Sequence, residues 1–140
     1  MLTNKFKINY SIGAVANGIK TDTFTFFLLF FYSNIIGLNP ALAGSAIFIA
    51  LCVDAVTDPL MGTISDRTNS SYGRRHPFMM ISFIPMSLGY IFLFAPRQDW
   101  DMSQSDLFIW MTIFTVITRI GMTLFDIPHR AFGGEVTKNY

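Results

Sequence analysis

Residues 41–65 read ALAGSAIFIALCVDAVTDPLMGTIS, an apolar stretch interrupted by only two charges, Asp54 and Asp58, with Pro59 directly after them. At about 20 residues per crossing, Ala41 to Ser65 is long enough to span a bilayer as a single helix. Three more segments of similar character flank it: Tyr10 to Ile36, Phe78 to Ala95 and Leu107 to Ile127. Membrane strands are excluded, because the apolar runs are too long and lack period-two alternation. The composition agrees with an all-α integral membrane protein. Of 140 residues, 51% are hydrophobic, 15 are Phe and 8 are Met, and only 14% are charged, against roughly 25% in an average globular domain. A formal net charge of +1 provides no basic field for nucleic acid. Cys52 is the single cysteine, which excludes an intrachain disulfide and a multi-cysteine metal site. Met1 to Asn9 carries Lys5 and Lys7 without the apolar core and cleavage site of a signal peptide, so the first helix reads as retained.

The connections set the topology. Gly37-Leu38-Asn39-Pro40 combines a helix-ending glycine, an N-cap and a proline at the first helical position, which predicts a tight hairpin. Residues 66–77 are polar and basic, whereas Pro96 to Asp106 sets only Arg97 against Asp99, Asp101 and Asp106. Lys5, Lys7, Arg67, Arg74, Arg75, Arg130 and Lys138 then share one side, and the positive-inside rule places both termini in the cytoplasm. Tyr10, Tyr32, Tyr90, Trp100 and Trp110 read as interfacial belt residues, and the Phe-rich run from Phe24 to Phe31 as ordinary packing. His76 and His129 lie at cytoplasmic boundaries without metal-ligand spacing.

Ionisable residues inside the segments carry the functional signal: Lys20, Asp22, Asp54, Asp58, Arg119 and Asp126. A lone charge at mid-helix costs roughly 2.5 to 3.5 kcal/mol on insertion scales, so these residues should share a polar interior. Asp54 and Asp58, four apart, fall on one helical face and repel unless a cation or a shared proton joins them. The plainer alternative is one protonated acid hydrogen-bonded to a neighbouring helix. Thr123 shares a face with Asp126, and Pro59 and Pro128 free the carbonyls of Ala55 and Leu124. Carboxylates, a hydroxyl and freed carbonyls together suit a hard monovalent cation; a simple kink is the other reading of each proline. Arg119, two turns before Asp126, either holds a hydroxyl-rich or anionic solute or pairs with an acid. Lys20 and Asp22 are candidate solute contacts. Gly62, Asp66 and Arg67, followed by Gly73, Arg74 and Arg75, read as a close-packing glycine, an acid at a helix end and a basic turn that together form a conformational latch. A purely topogenic basic loop is the alternative.

Gly62-x-x-x-Asp66-Arg67 with Gly73-Arg74-Arg75 resembles the loop motif of the major facilitator superfamily, in the lengthened form of its glycoside-pentoside-hexuronide:cation symporters. Asp54 to Gly62 and Asp126-Ile127-Pro128 are similar to that family's second- and fourth-helix signatures, and the first segment also matches, so the resemblance covers essentially the whole chain. It implies a twelve-helix carrier of the cell membrane, built of two six-helix halves and coupling sodium or proton influx to sugar uptake by alternating access. By resemblance, Asp54, Asp58, Thr123 and Asp126 form the cation site, and Asp126 also touches sugar. Two positions depart from the melibiose-permease-like pattern: Gly18 replaces a sugar-binding acid, with Asp22 one turn on, and Arg130 replaces an aromatic residue.

The leading expectation is therefore the first four transmembrane helices of such a carrier, with Gly133 to Tyr140 as a loop toward a fifth. Its partners are membrane lipid, a small solute of the sugar or glycoside type and the C-terminal helices of the same carrier, with no cofactor beyond Na+ or H+. The contrasting expectation is a complete four-helix protein acting as a homo-oligomeric exporter or a non-transporting scaffold. An enzyme is disfavoured, because no paired nucleophile and base appear.

Overall fold

The computed structural model describes residues 24–68 and 76–138. They form α1 (Phe24–Ile36), α2 (Pro40–Arg67), α3 (His76–Ile81), α4 (Phe83–Leu93) and α5 (Gln104–Lys138), with a single 3₁₀ turn at Gln98–Trp100. No strand occurs among the described residues. At 1.5 Å per residue, the 28 residues of α2 reach roughly 42 Å and the 35 of α5 roughly 52 Å, each more than a hydrocarbon core.

The ends of α1 and α2 follow from turn chemistry. The last six residues of α1, Phe31–Ile36, widen into a π-helix that stops at Gly37, whose φ of 87° falls in the left-handed region open to glycine. Asn39 then caps α2, its side chain accepting the Ala41 N–H at 2.9 Å, and Pro40 occupies the first helical position. α5 begins earlier than its apolar run. Ser103 and Asp106 cap it reciprocally: the Ser103 hydroxyl donates to Asp106 Oδ2 at 2.7 Å, and the Asp106 N–H donates back to Ser103 Oγ at 3.2 Å. Gln104 ties the two starts together by accepting the Asn39 N–H at 2.8 Å and donating to the Gly37 carbonyl at 2.9 Å.

Two expectations are corrected here, and a third is refined. The third apolar segment is one helical run, Pro77–Leu93, in which Ser82 keeps helical angles but one backbone bond is missing, so its two parts carry the labels α3 and α4. Pro85 explains the missing bond, since it supplies no N–H to the Ile81 carbonyl and its ring crowds that group. Helical bonding resumes around it, with Ser82 N–H donating to Phe78 and Met86 N–H to Ser82. The fourth segment continues through Pro128 to Lys138, so residues 133–138 are helical rather than a loop. Tyr32 is no belt residue: it is fully buried, and its hydroxyl donates to the Leu93 carbonyl at 2.7 Å. Trp110 Nε1 donates to the adjacent Phe92 carbonyl at 2.9 Å, which also accepts the Ala95 N–H at 3.3 Å, so two aromatic side chains serve the C-terminal carbonyls of α4.

α5 packs against α2, α3 and α4. Lipid is as apolar as leucine, so such contacts rely on close fit rather than on water exclusion. α2 turns the buried small residues Ala43, Ala46 and Ala50 inward, while Phe48, Leu51, Val56, Leu60 and Ile64 stay exposed. α4 meets α5 at two glycines. A Cβ on Gly121 would lie 2.7 Å from the Met86 backbone nitrogen, and one on Gly89 would collide with the Thr118 hydroxyl. The phenylalanines of α1 pack on the end of α4: Phe24 meets Tyr90 edge-on at 5.1 Å, and Phe31 meets Phe94 at 5.2 Å. Gly121→Ala should therefore force α4 from α5 and cost about 1 to 3 kcal/mol, read as a lower unfolding temperature of the full-length protein in detergent. Gly44→Ala, with nothing within 4 Å of the new methyl, should leave that temperature unchanged.

Candidate functional site

The acids of α2 are met by polar side chains of α5 in a repeating register. Arg119 Nη1 donates to Asp54 Oδ2 at 2.6 Å, and the Thr123 hydroxyl donates to Asp58 Oδ1 at 2.8 Å. Both pairs are 65 residues apart in sequence, so the four-residue step along α2 is matched by the same step along α5 and the two helices run parallel. Their starts, tied by Gln104, lie at the same end.

Between them is a cavity of about 140 Å³. Asp54 and Asp58 line it from α2, and Arg119, Met122, Thr123, Asp126, Ile127 and Arg130 line it from α5. The cation-site candidates Asp54, Asp58, Thr123 and Asp126 are thus gathered on one space, and Arg119, two turns before Asp126, shares it. Among the described lining residues three carboxylates face two guanidiniums, a formal excess of one negative charge. Asp54 Oδ1 is buried with no hydrogen-bond partner among the described residues. The side chains of Arg119 and Asp54 are only 11% and 19% exposed, so water screens the pair weakly.

Arg119 is engaged within the bundle. Its second fork nitrogen, Nη2, donates to the Thr25 hydroxyl of α1 at 3.2 Å, so one side chain joins α1, α2 and α5. Of the two readings of this arginine, the interhelical ion pair is the arrangement present. The freed carbonyls stand elsewhere: neither Ala55 nor Leu124 lines the cavity, because each is one helical position or more round from the inward-facing acids. Thr57 points its hydroxyl back to the Asp54 carbonyl at 3.5 Å. The Thr25 contact and the place of Arg130 on the cavity wall are additions to the sequence reading; a hydroxyl near the start of α1 bears no local signature of its role.

Along α2 beyond the cavity, Gly62 faces α5, where a Cβ would touch Ile127 at 3.8 Å. Asp66 and Arg67 are exposed at the helix end. Gly73, Arg74 and Arg75 of the proposed latch, and Lys20 and Asp22 of the solute contacts, lie outside the described residues. Among the described residues no group of three or more His, Cys, Asp and Glu side chains is placed to hold a metal ion.

Two of the helices, α2 and α5, are long and apolar enough to cross a membrane, and comparison with known proteins supplies the family. Residues 9–140 match the family described as MFS/sugar transport protein. The chain belongs to that family, within the major facilitator superfamily and alongside its glycoside/cation symporters. It is 35% identical over 137 residues to an uncharacterized symporter of Synechocystis sp., covering 96% of this chain and 25% of that protein. It is 29% identical over 139 residues to the inner membrane symporter YicJ of Escherichia coli, covering 99% and 30%. It is also 31% identical over 133 residues to the sodium-dependent lysophosphatidylcholine symporter 1-A of Danio rerio, covering 93% and 24%. The chain thus spans at most about 30% of the length of these relatives. No solved structure matches it.

Removing Arg119 leaves Asp54 uncompensated inside the bundle. Arg119→Ala should cost about 3 kcal/mol of stability in the full-length protein, and adding Asp54→Asn to it should recover most of that loss. Thermal unfolding of the two single variants and the double variant measures the coupling.

Proposed function

We propose that this chain forms the N-terminal part of the first six-helix half of a twelve-helix secondary carrier, with both termini cytoplasmic, that couples the influx of a monovalent cation, sodium or proton, to uptake of a sugar or glycoside. The observation that carries the reading is the cavity in which Asp54, Asp58, Asp126 and the Thr123 hydroxyl converge between two parallel apolar helices. Carboxylates in such a place are costly unless they bind something positive. Among the described lining residues carboxylates outnumber guanidiniums, which favours a cation in the cavity. The family description, with its reference to sugar transport, supports the solute class.

In this reading Asp54, Asp58, Thr123 and Asp126 hold the cation, and Asp126 with Lys20 and Asp22 contacts the solute. Occupancy by the ion relieves repulsion among the acids and so favours the conformation that binds solute. Gly62, Asp66, Arg67, Gly73, Arg74 and Arg75 act as the latch on the cytoplasmic side that is remade as access alternates. Membership of a carrier family weighs against a homo-oligomeric exporter or scaffold.

The test is solute uptake by the full-length carrier under sodium, lithium and proton gradients. Asp58→Asn and Asp126→Asn should each reduce cation-stimulated uptake by about 100-fold, the loss of roughly 3 kcal/mol of charged ligand interaction, with membrane insertion unchanged. Full cation dependence in both variants overturns the reading. A panel of glycosides beside lysophosphatidylcholine decides the solute: uptake of the lipid alone would overturn the sugar assignment and leave the cation site standing.

A further inference from the structure

Arg119 occupies one oxygen of Asp54, a candidate cation ligand. Its guanidinium reaches from α5 to Asp54 Oδ2 at 2.6 Å and to Thr25 Oγ1 at 3.2 Å. At 11% exposure it offers no open fork to a solute, and its Nε is buried without a hydrogen-bond partner among the described residues. Asp58, one turn along, is held differently, by the neutral hydroxyl of Thr123. The two acids of α2 are therefore unequal: one already carries a positive charge supplied by the protein, and the other does not.

We propose that Arg119 is a tethered competitor of the coupling ion. It neutralises Asp54 in the conformation described, and a monovalent cation binds by taking over Asp54 together with Asp58 while the guanidinium withdraws. This rests on the cation-site reading above. Three physical points support it. A carboxylate pair one turn apart needs compensation at every stage of a transport cycle, and an arginine keeps its charge at any physiological pH. Among the described residues Asp54 Oδ1 is buried without a hydrogen-bond partner, so the same carboxylate retains an acceptor for an arriving ion before Oδ2 is given up. The guanidinium also bonds α1 through Thr25, so its withdrawal releases α1 from α5 and converts ion occupancy into a change between helices.

Competition lowers the apparent affinity for the ion by the fraction of carriers in which Asp54 is released. In the full-length carrier, Arg119→Gln should lower the concentration of the driving cation, whichever of sodium, lithium or proton stimulates uptake, that gives half-maximal uptake by about tenfold or more. Arg119→Lys, which keeps the charge, should stay within about threefold. Asp54→Asn should abolish stimulation in either background. A second measurement needs no substitution: saturating driving cation should raise phenylglyoxal modification of Arg119 several-fold over a choline control, or for a proton-driven carrier over high pH with the reagent's own pH dependence subtracted, as read by mass spectrometry. An Arg119→Gln carrier with equal or weaker cation affinity overturns the inference. So does an Arg119 whose reactivity the cation leaves unchanged. Stimulation restored in the Asp54→Asn and Arg119→Gln double variant also overturns it, because Asp54 would then serve only to balance Arg119. Each of these leaves the cation-site reading intact; an unaltered carrier that no cation stimulates overturns both.

Discussion

Asp54 and Asp58 sit one turn apart in a 28-residue apolar helix, and the helix is tenable in a membrane only if another element compensates them. α5 does so, with Arg119 on Asp54 and Thr123 on Asp58. Matching two polar steps along one helix with two along another sets direction and register together. A slip of one residue would turn Arg119 about 100° away from Asp54 and leave both charges uncompensated. The parallel pairing of α2 and α5 and the position of the cavity follow from this demand. Because lipid supplies no drive to bring apolar helices together, the polar pairs select the register and the small residues on α2 and α4 let the backbones approach.

The end where α2 and α5 begin is tied differently from the cavity. Gln104 bridges Gly37 and Asn39, while Tyr32 and Trp110 occupy the final carbonyls of α4. These are hydrogen bonds from neutral groups to backbone, with no exchangeable charge. The cavity instead holds charged side chains, and the Arg119 side chain connects three helices there.

Much of this is legible in the residues. Segment length and apolarity announce membrane helices, Gly37-Leu38-Asn39-Pro40 announces its turn, and the four-residue spacing of the acids announces a shared face. Other features were less legible for physical reasons. Pro85 removes one backbone bond from the third segment, a local signal outweighed by the surrounding hydrophobic run, which stays helical. Pro128 fails to end α5, since a proline within a buried, well-packed helix costs one hydrogen bond and is retained when neighbours hold the flanking turns. Tyr32 has the amphipathic chemistry of an interfacial residue, yet the carbonyl it satisfies belongs to α4, 61 residues away.

The sequence by itself determined the class of fold, the membrane environment and the list of residues too costly to leave unpaired, because hydrophobic length, proline and glycine chemistry and the price of a charge in lipid are properties of local composition. Tertiary structure alone decided which charge meets which. Arg119 had an ion pair and a solute contact open to it on equal terms until α5 was laid parallel to α2, and the freed carbonyls of Ala55 and Leu124 looked as suitable as side chains until the helical rotation turned them from the cavity. Pairing across helices depends on register and rotation, which arise from the packing of whole elements and leave no trace in the spacing along any one of them.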